Sequence, residues 1–140
     1  RASGLRIYGE QRGSAVADFN QDGRPDLAVT QNGAATRLFQ NQRAKPGLRI
    51  RAEAGPQNPY AIGAILQLQF EDGSKGPARL ITAGSGYWSQ DSPIHVLPTP
   101  KKPTHILIQW PNNNITSSPI PNNSPYIHIL SNGDFKGADE

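Results

Sequence analysis

The chain of 140 residues has no cysteine. That excludes disulfides, thiolate metal sites and a cysteine nucleophile, and it is compatible with an oxidising exterior without demonstrating one. No apolar run approaches the roughly 20 residues that span a bilayer, so no transmembrane segment is expected. The sequence starts at Arg1, and no charged start followed by an apolar stretch is present. A processed chain or a fragment of a longer protein is the expectation. Helical periodicity is nearly absent as well. Acidic residues are outnumbered, 11 against 14 lysines and arginines, for a net charge of +3. Arg37, Arg43, Lys45, Arg49 and Arg51 form a basic stretch interrupted by no acid. No aromatic stacking pattern accompanies it, so a solvated strand face is expected there, not a nucleic-acid site.

What the chain does contain is turn formers, 14 glycines and 13 prolines. Between them lie short runs with strand character. "SAVADF", "DLAVTQN" and "ATRLFQNQ" read as three strands in succession. "GLRIRAEA" alternates Leu48 and Ile50 against Arg49 and Arg51, the pattern of a half-buried strand. In "ILQLQFEDG", Leu66, Leu68 and Phe70 fall on one face and Gln67, Gln69 and Glu71 on the other. Asp72-Gly73 then signals a hairpin, with "PARLITAGSGYWSQ" expected as the returning strand. "IHVL", "HILIQW" and "YIHIL" complete an all-β succession, hence a sandwich or barrel. A boundary is expected in "NQRAKPG", dividing residues 1–46 from 47–131, with 132–140 a flexible polar tail.

One stretch carries chemistry. "DFNQDGRPDL" places Asp18, Asn20, Asp22 and Asp26 at positions 1, 3, 5 and 9 of a loop, with Gly23 at the sixth. An EF-hand needs flanking helices and a bidentate Glu at position 12. Position 12 is Val29 and the flanks read as strands, so the EF-hand reading fails. The all-oxygen set still suits a hard cation, calcium before magnesium, with the backbone carbonyl of Arg24 as the ligand at position 7. The alternative is an Asx-rich turn capped by its own side chains, which leaves three carboxylates crowded together.

"GSAVADFNQDGRPDLAVT" resembles the FG-GAP/VCBS repeats of β-propellers, the integrin α-subunit type included. The resemblance covers about residues 4 to 42. It implies a calcium loop joining two strands of a blade, and a single visible copy implies either the end of a longer protein or a blade that packs on the following domain or on a partner. "GPQNPYAIGA", "TAGSGYWSQDSP" and "ILIQWP" resemble, in that order, the landmarks of the ASPIC/UnbV domain that follows such repeats. The sequence departs from that domain at Pro59, at "LPTPKKP" and at Asn112–Asn113. The fold implied is one propeller-blade-like element followed by a β-sandwich-like domain. The resemblance also implies a secreted, periplasmic or cell-surface address. It further implies a non-enzymatic calcium-binding role in protein–protein contact, adhesion or structural support. The partner would be another protein or the rest of a longer chain, including a complex held at a membrane.

Other residues carry weaker signals. His95, His105 and His128 each fall in or beside a strand without metal-ligand spacing, and strand-surface roles are expected. Ser85, Ser89 and Ser92 lack the nucleophile-elbow pattern. Adjacent Tyr87 and Trp88 would point to opposite faces of a strand, both packed at a sheet edge or one of them exposed. An exposed ring there gives the second functional reading, a carbohydrate-binding module using Tyr87 or Trp88. Trp110 before Pro111 is expected to close the core at a strand end. Asn114 and Asn122 stand in acceptor sequons in polar turns.

Overall fold

The computed structural model describes residues 4–137. It contains ten strands and, among the described residues, no helix. These are β1 (Gln11–Ala17), β2 (Asp26–Gln31), β3 (Ala34–Phe39), β4 (Leu48–Glu53), β5 (Ile65–Phe70), β6 (Arg79–Leu80), β7 (Ile94–Leu97), β8 (Pro103–Gln109), β9 (Ile115–Pro119) and β10 (Tyr126–Leu130).

Period-2 alternation decides the larger part of the structure. In β4, Leu48, Ile50 and Ala52 point inward; in β5, Leu66, Leu68 and Phe70 do. Ile106 and Ile108 of β8 and Ile127 and Ile129 of β10 follow the same rule. All of these meet in one apolar core with Ala61, Ala64, Ile81, Leu97 and Trp110. The core is supplied by two sheets, a three-stranded one in the order β10-β4-β7 and a four-stranded one in the order β6-β5-β8-β9. Its largest sealed side chains are Ile50, Leu66, Leu68, Ile106, Ile108 and Ile129. Each contributes about 1.5–3 kcal/mol by leaving water. Trp110 closes the end of β8, its indole N–H donating to the Thr116 hydroxyl at 2.9 Å.

Two arrangements lie outside local pattern. β10 pairs in parallel with β4, His128 standing opposite Arg51. Parallel partners need a long crossover, so this pairing joins residues far apart in the chain. The segment after β5 returns as a strand only over Arg79–Leu80. Asp72-Gly73 turns the chain, but pairing resumes only as an isolated Gln69–Lys75 bridge and the two-residue β6. Pro77 has no amide to donate, and Gly76 runs against the Phe70 ring, 3.3 Å from where a Cβ would stand. Residues 132–137, read as part of a flexible tail, turn back instead: Leu130 N donates to Asp134 O, Lys136 N to His128 O, and Phe135 packs against the core. Residues 138–140 of that tail lie outside the described residues.

The remaining sheet, β1-β2-β3, is antiparallel and thinly covered. Val29 is its one buried aliphatic side chain among the described residues, and residues 34–38 of β3 are all exposed. This sheet presents the acidic loop, between β1 and β2, to β4 of the larger unit.

Candidate functional site

The loop begins where β1 ends at Ala17 and closes where β2 begins at Asp26. Asp18 organises it. Its Oδ1 accepts the Asp22 N–H and its Oδ2 the Gly23 N–H, both at 2.9 Å. Gly23 has φ +79°, a left-handed conformation that a side chain rarely adopts, and a Cβ there would come within 3.0 Å of the Gly47 carbonyl oxygen. Asn20 Oδ1 and Asp22 Oδ1 accept the amides of Asp22 and Arg24, two successive Asx turns. Asp26, also buried, accepts the Phe19 amide on one oxygen at 3.3 Å and the Asn41 amide on the other at 2.7 Å. It therefore ties the loop to the segment after β3.

The charge of the loop is met from outside it. The Asp18 side chain is 1% exposed, and Arg49 Nε of β4 lies 2.9 Å from its Oδ2. The Nε–H does not aim at that oxygen, so the contact is an ion pair without a hydrogen bond. The Arg49 guanidinium also lies over the Tyr126 ring, 5.4 Å from its centroid. Asp22 is answered within the loop by Arg24, whose guanidinium reaches Asp22 Oδ2 at 3.0 Å and the Ala44 carbonyl at 2.7 Å. Desolvation raises the Asp22 pKa, but hydrogen bonds from Asn20 and Arg24 and the Arg24 charge outweigh it and hold the group below its ordinary value. Gly47 N donates to Gly23 O at 2.8 Å, completing the seam between loop and linker.

The donor types of Asp18, Asn20, Asp22, Asp26 and the Arg24 carbonyl fit a hard cation. Their disposition answers the carboxylates with guanidinium groups and amides. Among the described residues no three of His, Asp and Glu are grouped to hold a metal ion.

The sequence pattern brought Asp18, Asn20, Asp22, Arg24 and Asp26 to one loop but left Arg49 unassigned. Arg49 and Arg51 are not a solvated face. Arg49 is mostly buried against Asp18 and Tyr126, and Arg51 lies over the Tyr60 ring, 5.9 Å from its centroid. The only signal was their polar phase in β4.

The histidines stand apart, on β7, β8 and β10. His128 Nε2 lies 3.0 Å from Glu53 Oε2. Burial and the Arg51 charge lower its pKa, against the opposing pull of Glu53. His95 is buried, and its Nε2 has no hydrogen-bond partner. Burial and Arg79 lower its pKa, and Asp91 opposes them. His95 borders a cleft of about 390 Å3 between residues 16–18 and 94–98. Tyr87 and Trp88 lie on a turn outside any strand, and both are exposed.

Residues 12–41 match the FG-GAP repeat family. The match spans all of β1 but its first residue, β2, β3 and the whole acidic loop. Repeats of this kind occur in extracellular integrin-like proteins that mediate protein interactions. No curated protein matches the chain. Among the described residues no helix is long and apolar enough to cross a membrane.

Proposed function

We propose that this chain is a non-enzymatic, extracytoplasmic interaction module, in which a blade-like element of residues 1–46 is fastened to a sandwich-like ASPIC/UnbV-type domain of residues 47–131. The observation that carries this reading is the coincidence of the FG-GAP match with a sheet whose β3 edge, among the described residues, pairs with no further strand and exposes Leu38. Leu38 is 59% exposed on β3, the edge strand of the order β1-β2-β3. A free strand edge with apolar side chains is the surface that strand addition or a neighbouring blade covers. The partner is a protein or a further part of the same polypeptide, and the role is contact, adhesion or support in a larger assembly.

Calcium belongs to this proposal. It would be held by Asp18, Asn20, Asp22, Asp26 and the Arg24 carbonyl, and it would supply neutralisation of the three carboxylates and a fixed turn. Thermal unfolding with calcium and with chelator tests it. Calcium is expected to raise the melting temperature of the native chain and to leave Asp22→Ala unchanged; identical melting of the native chain in both conditions would remove the ion from the proposal. The interaction reading has its own test. A photo-cross-linker at position 38 of the intact protein is expected to give one defined protein adduct, whereas the same group at Ile115, more exposed still on β9, gives none. Equal, diffuse labelling from both positions would count against it.

A further inference from the structure

The segment "GSGYWSQD", Gly84–Asp91, is held on the outer edge of β1 by a set of specific bonds. Ser85 N donates to Ser89 O at 3.1 Å and Ser89 N to Gly86 O at 3.3 Å, which closes a tight turn. The Ser89 hydroxyl donates to Tyr87 O at 2.9 Å and accepts the Ser14 amide at 2.8 Å. Asp91 Oδ1 accepts the Val16 amide at 2.8 Å, and Ser92 N donates to Val16 O at 2.9 Å. The Ser14 and Val16 amides of the β1 edge are thus taken by this loop. Contact is close enough that a Cβ on Gly13 would lie 2.7 Å from the Trp88 carbonyl oxygen.

The turn holds Trp88 at φ +52°, a left-handed conformation unusual for a bulky side chain. Strained backbone of this kind persists where surrounding bonds over-determine it, and it concentrates at ligand clamps. Its effect here is to present two rings to solvent. Tyr87 is 70% and Trp88 82% exposed, with centroids 5.9 Å apart and planes at 68°. One ring can serve as a floor and the other as a wall.

A groove of about 420 Å3 opens beside Tyr87, bordered by Gln11, Arg12, Ser14, Val29, Ser85 and Tyr87; Trp88 does not line it and adjoins it through its edge contact with Tyr87. Its size falls in the range of small-ligand clefts, roughly 300–1,000 Å3. Its chemistry is mixed, with an aromatic face, aliphatic floor, amide, guanidinium and hydroxyl. An apolar peptide face laid here would leave those polar groups desolvated without partners. A pyranose ring satisfies both demands, since its C–H face stacks on an aromatic ring and its hydroxyls both donate and accept. Arg12 carries Glu10 at 3.4 Å, so the rim has no excess cation to select an acid. We propose that Tyr87, Trp88 and this groove form a binding site for a neutral saccharide, one or two pyranose rings of an exposed glycan.

The test is tryptophan fluorescence of the 140-residue chain, titrated with cellohexaose, mannohexaose, chitohexaose and hexagalacturonate. Trp110 is buried, so an emission change reports Trp88. At least one neutral oligosaccharide is expected to shift or quench the emission, with saturation. Calorimetry is then expected to show at least tenfold weaker binding for Tyr87→Ala and for Trp88→Asn, asparagine being tolerant of the left-handed conformation. Gly13→Ala, which displaces the loop and keeps both rings, is expected to weaken binding as well. Circular dichroism confirms that each variant is folded. Silence toward all four sugars, a response to hexagalacturonate alone, or binding by folded Trp88→Asn within twofold of the native chain would each overturn the proposal.

Discussion

Replacing Arg49 with methionine tests how the acidic loop is joined to the rest of the protein. Methionine keeps much of the apolar stem and removes the guanidinium that stands 2.9 Å from a carboxylate only 1% exposed. Losing one partner of a buried ion pair costs about 3–5 kcal/mol, because the remaining charge has no counter-charge and little water. Asp18 keeps two amide donors, from Asp22 and Gly23, one on each oxygen. Those bonds spread part of the charge, so the lower end, about 3 kcal/mol, is expected. For a chain of this size that is a fall in melting temperature of about 10 °C. The measurement is urea unfolding followed by circular dichroism at neutral pH in chelator, so that no metal ion enters the comparison. The lost contact with Tyr126 adds about 0.5–1 kcal/mol, and a double-mutant cycle with Asp18→Asn separates it from the ion pair. The cycle is expected to be strongly non-additive. An Arg49→Met cost below about 1 kcal/mol, or simple additivity with Asp18→Asn, would refute the view that this pair clasps loop to sheet. If calcium exchanges with the guanidinium, Arg49→Met also binds calcium more tightly than the native chain.

Three further outcomes are expected. His95 and His128 both have folded-state pKa values below the ordinary 6.5, so the unfolded chain takes up their protons first. Their contribution is complete above about pH 6.5 and is lost progressively as pH falls below it. The urea midpoint is therefore expected to drop between pH 7 and pH 5, less steeply in His95→Gln, and a flat native profile would contradict it. Leu68→Ala removes a side chain sealed between the two core sheets and is expected to cost about 2–5 kcal/mol in the same unfolding assay. Gly47→Ala would drive a Cβ into the Leu97 carbonyl group and against the Val96 side chain. It is expected to destabilise the β4–β7 pair by at least about 1–3 kcal/mol, the scale of core overpacking, read as faster amide exchange in both strands.

The separation of local from long-range information runs through the whole chain. Strand positions, inward phase and the acidic turn were legible because each depends on residues within a few positions of one another. Leu66, Leu68 and Phe70 alternate with Gln67 and Gln69, and a one-residue slip would bury the glutamines. Asp18, Asn20, Asp22 and Gly23 define their turn through bonds that reach no farther than five residues. The aromatic turn was misread for the same reason. Nothing local to "YWSQ" says that a serine amide on β1 will claim the Ser89 hydroxyl, so a strand remained the simplest expectation.

The sequence by itself determined the all-β class, the two-residue period of the core strands and the oxygen-rich loop with its glycine. These follow from side-chain polarity and backbone sterics over a few residues. The tertiary structure alone decided that β10 lies parallel to β4, that Arg49 meets the buried Asp18, that His95 Nε2 is buried without a hydrogen-bond partner, and that Tyr87 and Trp88 face water. Each of these depends on which distant segments share one core, a choice made by the summed burial of all the strands together and encoded in no single stretch.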